Sequence, residues 1–271
     1  LHPRVRRQRQ MCIRDREYIM IIKGKKYNID CDASIPEKAT IVVIALHGFA
    51  GDKKSGCILS LKERVVSEGI GLITFDWPGH GESEVGGEEL TVANCLDDLD
   101  TVYRYVKENY PAVRDIVAFA TSFGGYLALL YHHEHPGAFR HVILRAPAIR
   151  MGTVLEQNIM TPEMNHEVAE KGYFDFGYER VMKVTKSFLD EVMKNDVVAL
   201  YKGEICPDID IIHGTVDDFV PIRDSIEFCE EHHIPLHKIE GADHRFKGPG
   251  QIEEIIDIAD EIIRKTCMDS K

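Results

Sequence analysis

A serine hydroxyl becomes a useful nucleophile only when a base takes its proton and an acid orients that base. Ser122 stands where such a nucleophile would. Val117-Ala118-Phe119-Ala120-Thr121-Ser122-Phe123-Gly124-Gly125 runs from an apolar strand through a small-x-Ser-x-Gly turn into a helical stretch. A sharp strand-to-helix turn lifts a serine hydroxyl above a sheet. The residues two before and two after it must be small, because strand and helix approach closely there. Ala120 fills the first of these places, where glycine is usual. Downstream, His213-Gly214-Thr215-Val216-Asp217-Asp218 puts acids on a turn after an apolar run, and Gly241-Ala242-Asp243-His244 puts a histidine after the last one. Ser122, Asp217 and His244 form a candidate triad. The spacing from His213-Gly214 favours Asp217 over Asp218, which reads as a turn carboxylate. The stretch Leu46-His47-Gly48-Phe49 supplies a second anion-stabilising element: the Phe49 N–H, joined by the N–H of Phe123, would face the negative oxygen of a tetrahedral intermediate.

These residues need a scaffold that collects strand ends. Ile41–Leu46, Gly71–Phe75, Ile116–Ala120, Val142–Leu144 and Ile209–Ile212 are short and almost wholly apolar. Strands of that texture are buried on both faces of a parallel sheet covered by helices. Helix-length segments alternate with them: Leu59–Glu68, Thr91–Asn109, Phe123–His133, Arg223–Glu231 and Ile252–Lys265. The pattern predicts a doubly wound α/β sheet, preceded by a hairpin over Tyr18–Ile22 and Lys26–Asp30 and closed by a strand at Leu236–Ile239. Open α/β sheets build their sites at the C-terminal strand ends, where all three candidates fall. Residues 148–206 break the alternation. A connection of about sixty residues is usually functional, often a lid, and one helix is expected in it, over Tyr178–Met193. Its aromatics Tyr173, Phe174, Phe176 and Tyr178 are either core of that insertion or a substrate wall.

The motifs H-G-F, D-x-x-G-H-G-x-S (from Asp76), S-x-G-G, H-G-x-x-D-x-x-V-P and G-A-D-H-x-F follow one another along the chain. In that order they resemble the α/β-hydrolase superfamily from Tyr18 onward, where the triad runs Ser, acid, His. Ala146-Pro147-Ala148, the insertion and Glu240-Gly241-Ala242-Asp243-His244 are most similar to the bacterial cinnamoyl (feruloyl) esterase and serine aminopeptidase-like group. The resemblance implies an α/β-hydrolase core over 17–147 and 207–271, a cap after the sixth strand over 148–206, and no cofactor. It also implies serine-dependent cleavage of small carboxylic esters, with hydroxycinnamoyl or short acyl esters as candidates. An aminopeptidase, an amidase or a monoacylglycerol lipase would use the same triad, and a non-catalytic ligand-binding member is the alternative of another class.

Other residues read more plainly. His47 and His80 sit in glycine turns, where a histidine satisfies backbone carbonyls. His132, His133 and His135 suggest a solvated helix end, with no metal spacing. Asp243 reads as a loop-stabilising hydrogen-bonder, and Cys57 and Cys95 as small core residues. No metal site is expected.

The 271 residues carry 33 Lys+Arg against 45 Asp+Glu, a net charge of −12, which disfavours nucleic acid as a partner. Hydrophobic residues make up 44%, enough for a large core, yet the longest apolar run is far short of the roughly 20 residues of a membrane helix. Seven scattered cysteines, none in a C-x-x-C pair, suit a reducing cytoplasm. Residues 1–16 carry six arginines and one acid without any hydrophobic period. They resemble translated adapter sequence, so a native start is expected near Met20 or upstream of Leu1, and removing them is expected to cost nothing.

Overall fold

The computed structural model describes residues 18–178 and 180–268; the arginine-rich stretch 1–16 lies outside them. Ten strands and nine α-helices follow in chain order among these residues. Eight strands make one sheet in the order β1-β2-β4-β3-β5-β6-β9-β10. Its parallel centre is built from β3 (Ile41–Leu46), β4 (Gly71–Phe75), β5 (Asp115–Thr121), β6 (His141–Arg145), β9 (Ile209–Gly214) and β10 (Leu236–Ile239). Every residue of β3, β4 and β9 is buried, which is why these strands read as largely apolar runs. The hairpin of β1 (Tyr18–Lys23) and β2 (Asn28–Ser34) joins the edge, β2 running antiparallel to β4. Its second strand starts two residues later than the sequence reading placed it and continues to Ser34.

Helices cover both faces. α2 (Val92–Asn109), α3 (Phe123–Glu134) and α8 (Ile222–His232) pack one face, and α1 (Gly56–Ser67) and α9 (Gln251–Met268) the other. Thr91 starts α2 by accepting from the Asn94 N–H, a side-chain cap. In α9, Ile255, Ile256, Ala259, Ile262 and Ile263 recur at helical spacing and bury against Ile58, Leu61 and Val65 of α1.

The insertion after β6 differs from expectation. α4 (Met151–Val154) runs into a wide π turn over Leu155–Ile159, and α5 (Pro162–Lys171) follows with no buried residue. A two-stranded hairpin, β7 (Tyr173–Phe176) with β8 (Met182–Thr185), precedes α6 (Lys186–Lys194) and α7 (Val197–Leu200). The helix expected over Tyr178–Met193 is therefore only its second half. Met182 and Val184 are buried and Lys183 is exposed, the period of a strand. Tertiary seating reinforces that choice, since a Cβ on Gly87 would lie 2.1 Å from the Lys183 carbonyl oxygen. The solvated helix end expected at the close of α3 also needs correction: His132 is largely buried, 2.9 Å from the Tyr201 hydroxyl and 3.1 Å from an Asp208 carboxylate oxygen.

Candidate active site

Ser122 sits between β5 and α3 at φ 52°, ψ −114°, a backbone conformation that non-glycine residues rarely adopt and that recurs at functional turns. Three hydrogen bonds hold the turn. The Ser122 N–H donates to the Arg145 carbonyl at 3.0 Å, and the Ser122 carbonyl accepts from the N–H groups of Tyr126 and Ala148, each at 3.1 Å. The need for small neighbours is explicit. A Cβ on Gly124 would fall 2.6 Å from the His47 carbonyl oxygen, and one on Gly125 would fall 2.9 Å from the Pro147 Cβ. Ala120, fully buried, meets the same need with a methyl group.

His244 lies on the loop after β10 and Asp217 on the loop after β9. His244 Nε2 is 3.2 Å from Ser122 Oγ, and His244 Nδ1 is 2.7 Å from Asp217 Oδ2. The two loops are stitched together: the Val216 N–H donates to the Ala242 carbonyl, and a Cβ on Gly214 would lie 2.3 Å from that same oxygen. This close approach accounts for the glycine of H-G-x-x-D. Asp217 Oδ1 accepts from the N–H groups of Phe219 and Val220 at 3.0 and 2.8 Å. His213, fully buried, adds a support that the sequence reading missed. Its Nε2 lies 3.2 Å from Asp217 Oδ2 and 3.0 Å from the Val220 carbonyl, and its Nδ1 lies 2.8 Å from the Ser225 hydroxyl. Nε2 is thus the protonated nitrogen, facing two acceptors. Burial pushes the Asp217 carboxyl up, but the bonds from His213 and His244 outweigh it and hold the group well below the ordinary carboxylate range. Asp218 is exposed on the rim of the cleft, and Asp243 accepts from the Arg245 and Lys247 N–H groups.

Gly48 packs against the elbow, where a Cβ would be 3.3 Å from Ser122 Cβ. That contact brings the loop bearing Phe49 beside the start of α3. Neither the Phe49 nor the Phe123 N–H makes a backbone hydrogen bond among the described residues. His47 and His80 brace this region. His47 lies with Nδ1 2.8 Å from the Gly48 carbonyl, and its Nε2 accepts from the Trp77 N–H at 3.2 Å. His80, 2.9 Å from the Pro78 carbonyl, is pushed down to about 3 by burial and by the neighbouring His47.

A cleft of about 1060 Å³ opens over Ser122. Phe176 and Tyr178 line it with Phe49, Ile159 and Phe219, whereas Tyr173 and Phe174 do not. Phe174 is fully buried in the core, and the Tyr173 ring carries the Lys183 ammonium 4.6 Å above it, so half of the expected aromatic wall belongs to the insertion itself. Two polar features went unread in the sequence because their partners are remote. Lys53, buried, places its ammonium 2.8 Å from Asp30, 2.7 Å from Asp76 and 2.8 Å from Glu82. These acids are the only cluster among the described residues that could ligate a metal, and the ammonium already fills it. Arg180, after β7, donates to the carbonyls of His80, Gly81, Ser83 and Val85 at 2.7–3.2 Å, fastening the hairpin to the core.

That fastening has a measurable consequence. Arg180→Ala strands four carbonyls and is expected to cost about 2 kcal/mol, a fall of roughly 4–8 °C in Tm, and to raise KM as the hairpin lifts. Thermal denaturation with steady-state kinetics checks this. An unchanged Tm together with an unchanged KM would rule out the fastening role.

A mostly parallel sheet flanked by helices, with a serine elbow and its histidine and acid at strand ends, defines an α/β-hydrolase of the serine-hydrolase type. The chain belongs to the serine aminopeptidase S33 family, whose profile matches residues 37–173. It is similar to the palmitoyl-protein thioesterase ABHD10, mitochondrial, of Bos taurus, with 24% identity over 232 residues, covering 82% of this chain and 73% of the relative. Among solved structures it superposes on ferulic acid-bound Est1E from Butyrivibrio proteoclasticus with a TM-score of 0.77 at 20% identity, covering 92% and 99% of the two chains. Mouse alpha/beta hydrolase domain-containing protein 10 gives a TM-score of 0.72 at 21% identity, covering 92% and 99%. No helix among the described residues is long and apolar enough to cross a membrane.

Proposed function

We propose that this hydrolase cleaves carboxylic esters through an acyl-enzyme. One observation carries the reading: Ser122, held at positive φ, has His244 Nε2 at 3.2 Å and, behind it, Asp217 at 2.7 Å from Nδ1. In this mechanism His244 removes the Ser122 proton as Oγ attacks the acyl carbon. The tetrahedral oxyanion collects hydrogen bonds from the Phe49 and Phe123 N–H groups. His244 then returns the proton to the departing alkoxide. Water, deprotonated by the same imidazole, releases the acid and restores the serine. No cofactor enters these steps. The insertion after β6 acts as a cap, with Phe176 and Tyr178 as its aromatic contacts to the acyl group, facing Phe49 of the loop after β3. A reducing compartment such as the cytoplasm suits the free, buried cysteines Cys31, Cys57, Cys95, Cys206 and Cys229.

Two measurements test this. A fluorophosphonate probe should label Ser122, and a panel of aryl esters, alkyl esters, acyl thioesters and aminoacyl arylamides should favour esters. The thioester arm is motivated by the ABHD10 relatives, and the amide arm by the family description. Absence of labelling would point to a binding module, and arylamide preference to a peptidase. Within the panel, Phe176→Ala and Tyr178→Ala should change aryl and alkyl kcat/KM unequally, by roughly 1–3 kcal/mol. Equal losses on every ester would make these rings cap core only.

A further inference from the structure

Arg145 closes β6 one residue before the Ala146-Pro147 turn. Its side chain is more than nine-tenths buried, at 8% exposure, with the guanidinium carbon 4.5 Å from the centroid of the Phe246 ring. Among the described residues no carboxylate, carbonyl or hydroxyl pairs with it, and its Nε is buried without a hydrogen-bond partner. The other buried cations are matched: Lys53 rests on three carboxylates, and Lys62 on Asp32 at 3.0 Å. The acids nearest in charge to Arg145 are committed elsewhere, Asp217 to His213 and His244, and Asp243 to backbone N–H groups. A buried guanidinium with nothing to neutralise it is costly, and its planar fork of donors matches a carboxylate or a phosphate.

Its surroundings point the same way. Arg145 and Thr121 are register partners on parallel strands, so they project to one face of the sheet. On that face the same cleft that reaches Ser122 and His244 is lined by Lys54, Ser55 and Gly56 at the start of α1, and by Asp243, Arg245 and Lys247. The Ser55 hydroxyl does not cap the twelve-residue α1, and a Cβ on Gly56 would meet nothing within 4 Å. The first-turn N–H groups of that helix therefore border open space and favour negative charge. Lys54 is already paired with Glu82, which leaves Arg145 as the specific element.

We propose that the part of the cleft between the start of α1 and residues 243–247, floored by Arg145 and Thr121, is an anion subsite. It seats a carboxylate or phosphate carried by the substrate while the scissile carbonyl lies at Ser122. The substrate class is thus an ester with an anionic group on its acyl or its alcohol portion. This rests on the ester-hydrolase reading above.

Two matched ester pairs test it and separate the two anions: monomethyl adipate against methyl hexanoate, and a butyryl ester of glycerol phosphate against monobutyrin. The wild type should prefer the charged member of at least one pair. Arg145→Gln should lower that preference, as a ratio of kcat/KM values, by about tenfold or more, and Arg145→Lys should restore part of it. A second readout needs no turnover. In Ser122→Ala protein, inorganic phosphate or adipate should raise Tm, and adding Arg145→Gln should remove the rise. If esters are not cleaved at all but the anion still stabilises Ser122→Ala, the hydrolase reading fails and the subsite stands. Turnover of neutral esters with no charged preference and no anion-dependent Tm in Arg145 protein overturns the subsite, whether or not Arg145→Gln folds. Equal losses on charged and neutral esters overturn it too, leaving Arg145 as a prop beneath Phe246.

Discussion

Ser122→Ala is expected to lower kcat by at least about 10³-fold while leaving the fold intact. In the proposed mechanism the serine contributes the attacking Oγ, and among the described residues no other hydroxyl hydrogen-bonds to His244. What survives its removal is binding and the oxyanion donors, which in serine proteases retain only a residual rate over water. The substitution is gentle on structure. It deletes one hydroxyl at a nearly buried position and leaves the three backbone hydrogen bonds of the turn in place. Alanine meets the same positive-φ strain as serine, so Tm should move little. Circular dichroism, thermal denaturation and fluorophosphonate labelling should accompany the kinetics. A well-folded Ser122→Ala protein of comparable activity would falsify the nucleophile assignment.

Asp217→Asn should be damaging on a similar scale, and Asp218→Asn far less so. In serine proteases, the equivalent acid-to-amide change costs about 10⁴ in kcat because the imidazole takes the wrong tautomer. The geometry here supports the same logic. Asp217 Oδ2 accepts from His244 Nδ1–H, which leaves Nε2 as the acceptor facing Ser122. An asparagine could present its NH₂ to Nδ1 and reverse that arrangement. It would also lose charge stabilisation of the imidazolium formed during attack. Asp218 is exposed and touches none of these groups, so its amide should cost only what a rim charge contributes. A crippled Asp218→Asn beside an active Asp217→Asn would reassign the acid. A pH consequence follows from the carboxyl group held low in the folded state. Its stabilising contribution is fully present above the unfolded carboxylate value of about 3.9 and is lost progressively as the pH falls from there through the depressed folded value. Asp217→Asn should therefore flatten the acid limb of the stability curve, a change visible by thermal denaturation between about pH 2 and 5.

The candidate site was legible because its members are local events at strand ends. An apolar run, a turn and a residue with the right chemistry lie within a few positions of one another around Ser122, Asp217 and His244, and Gly48, Gly124, Gly125 and Gly214 each answer a real close approach. The insertion was less legible. Residues 178–193 contain good helix formers, and the seat of β8 on Gly87 reinforces the choice of a hairpin there. The aromatic residues were ambiguous for the same reason, since Tyr173 and Phe174 differ from Phe176 and Tyr178 in what lies across from them and not in composition.

By itself, then, the chain's order of residues determined the sheet, the helices that cover it and the three residues of the proposed triad, because burial on both faces and tight turns leave marks within ten positions. Only the tertiary structure decided the pairing of charges: Lys53 among Asp30, Asp76 and Glu82, Arg180 on the carbonyls of residues 80–85, and Arg145 over the Phe246 ring with no hydrogen-bond partner for its Nε among the described residues. These contacts join residues up to about a hundred positions apart. A charged side chain's partner is fixed by where distant strand ends and loops meet, which no local pattern of residues encodes.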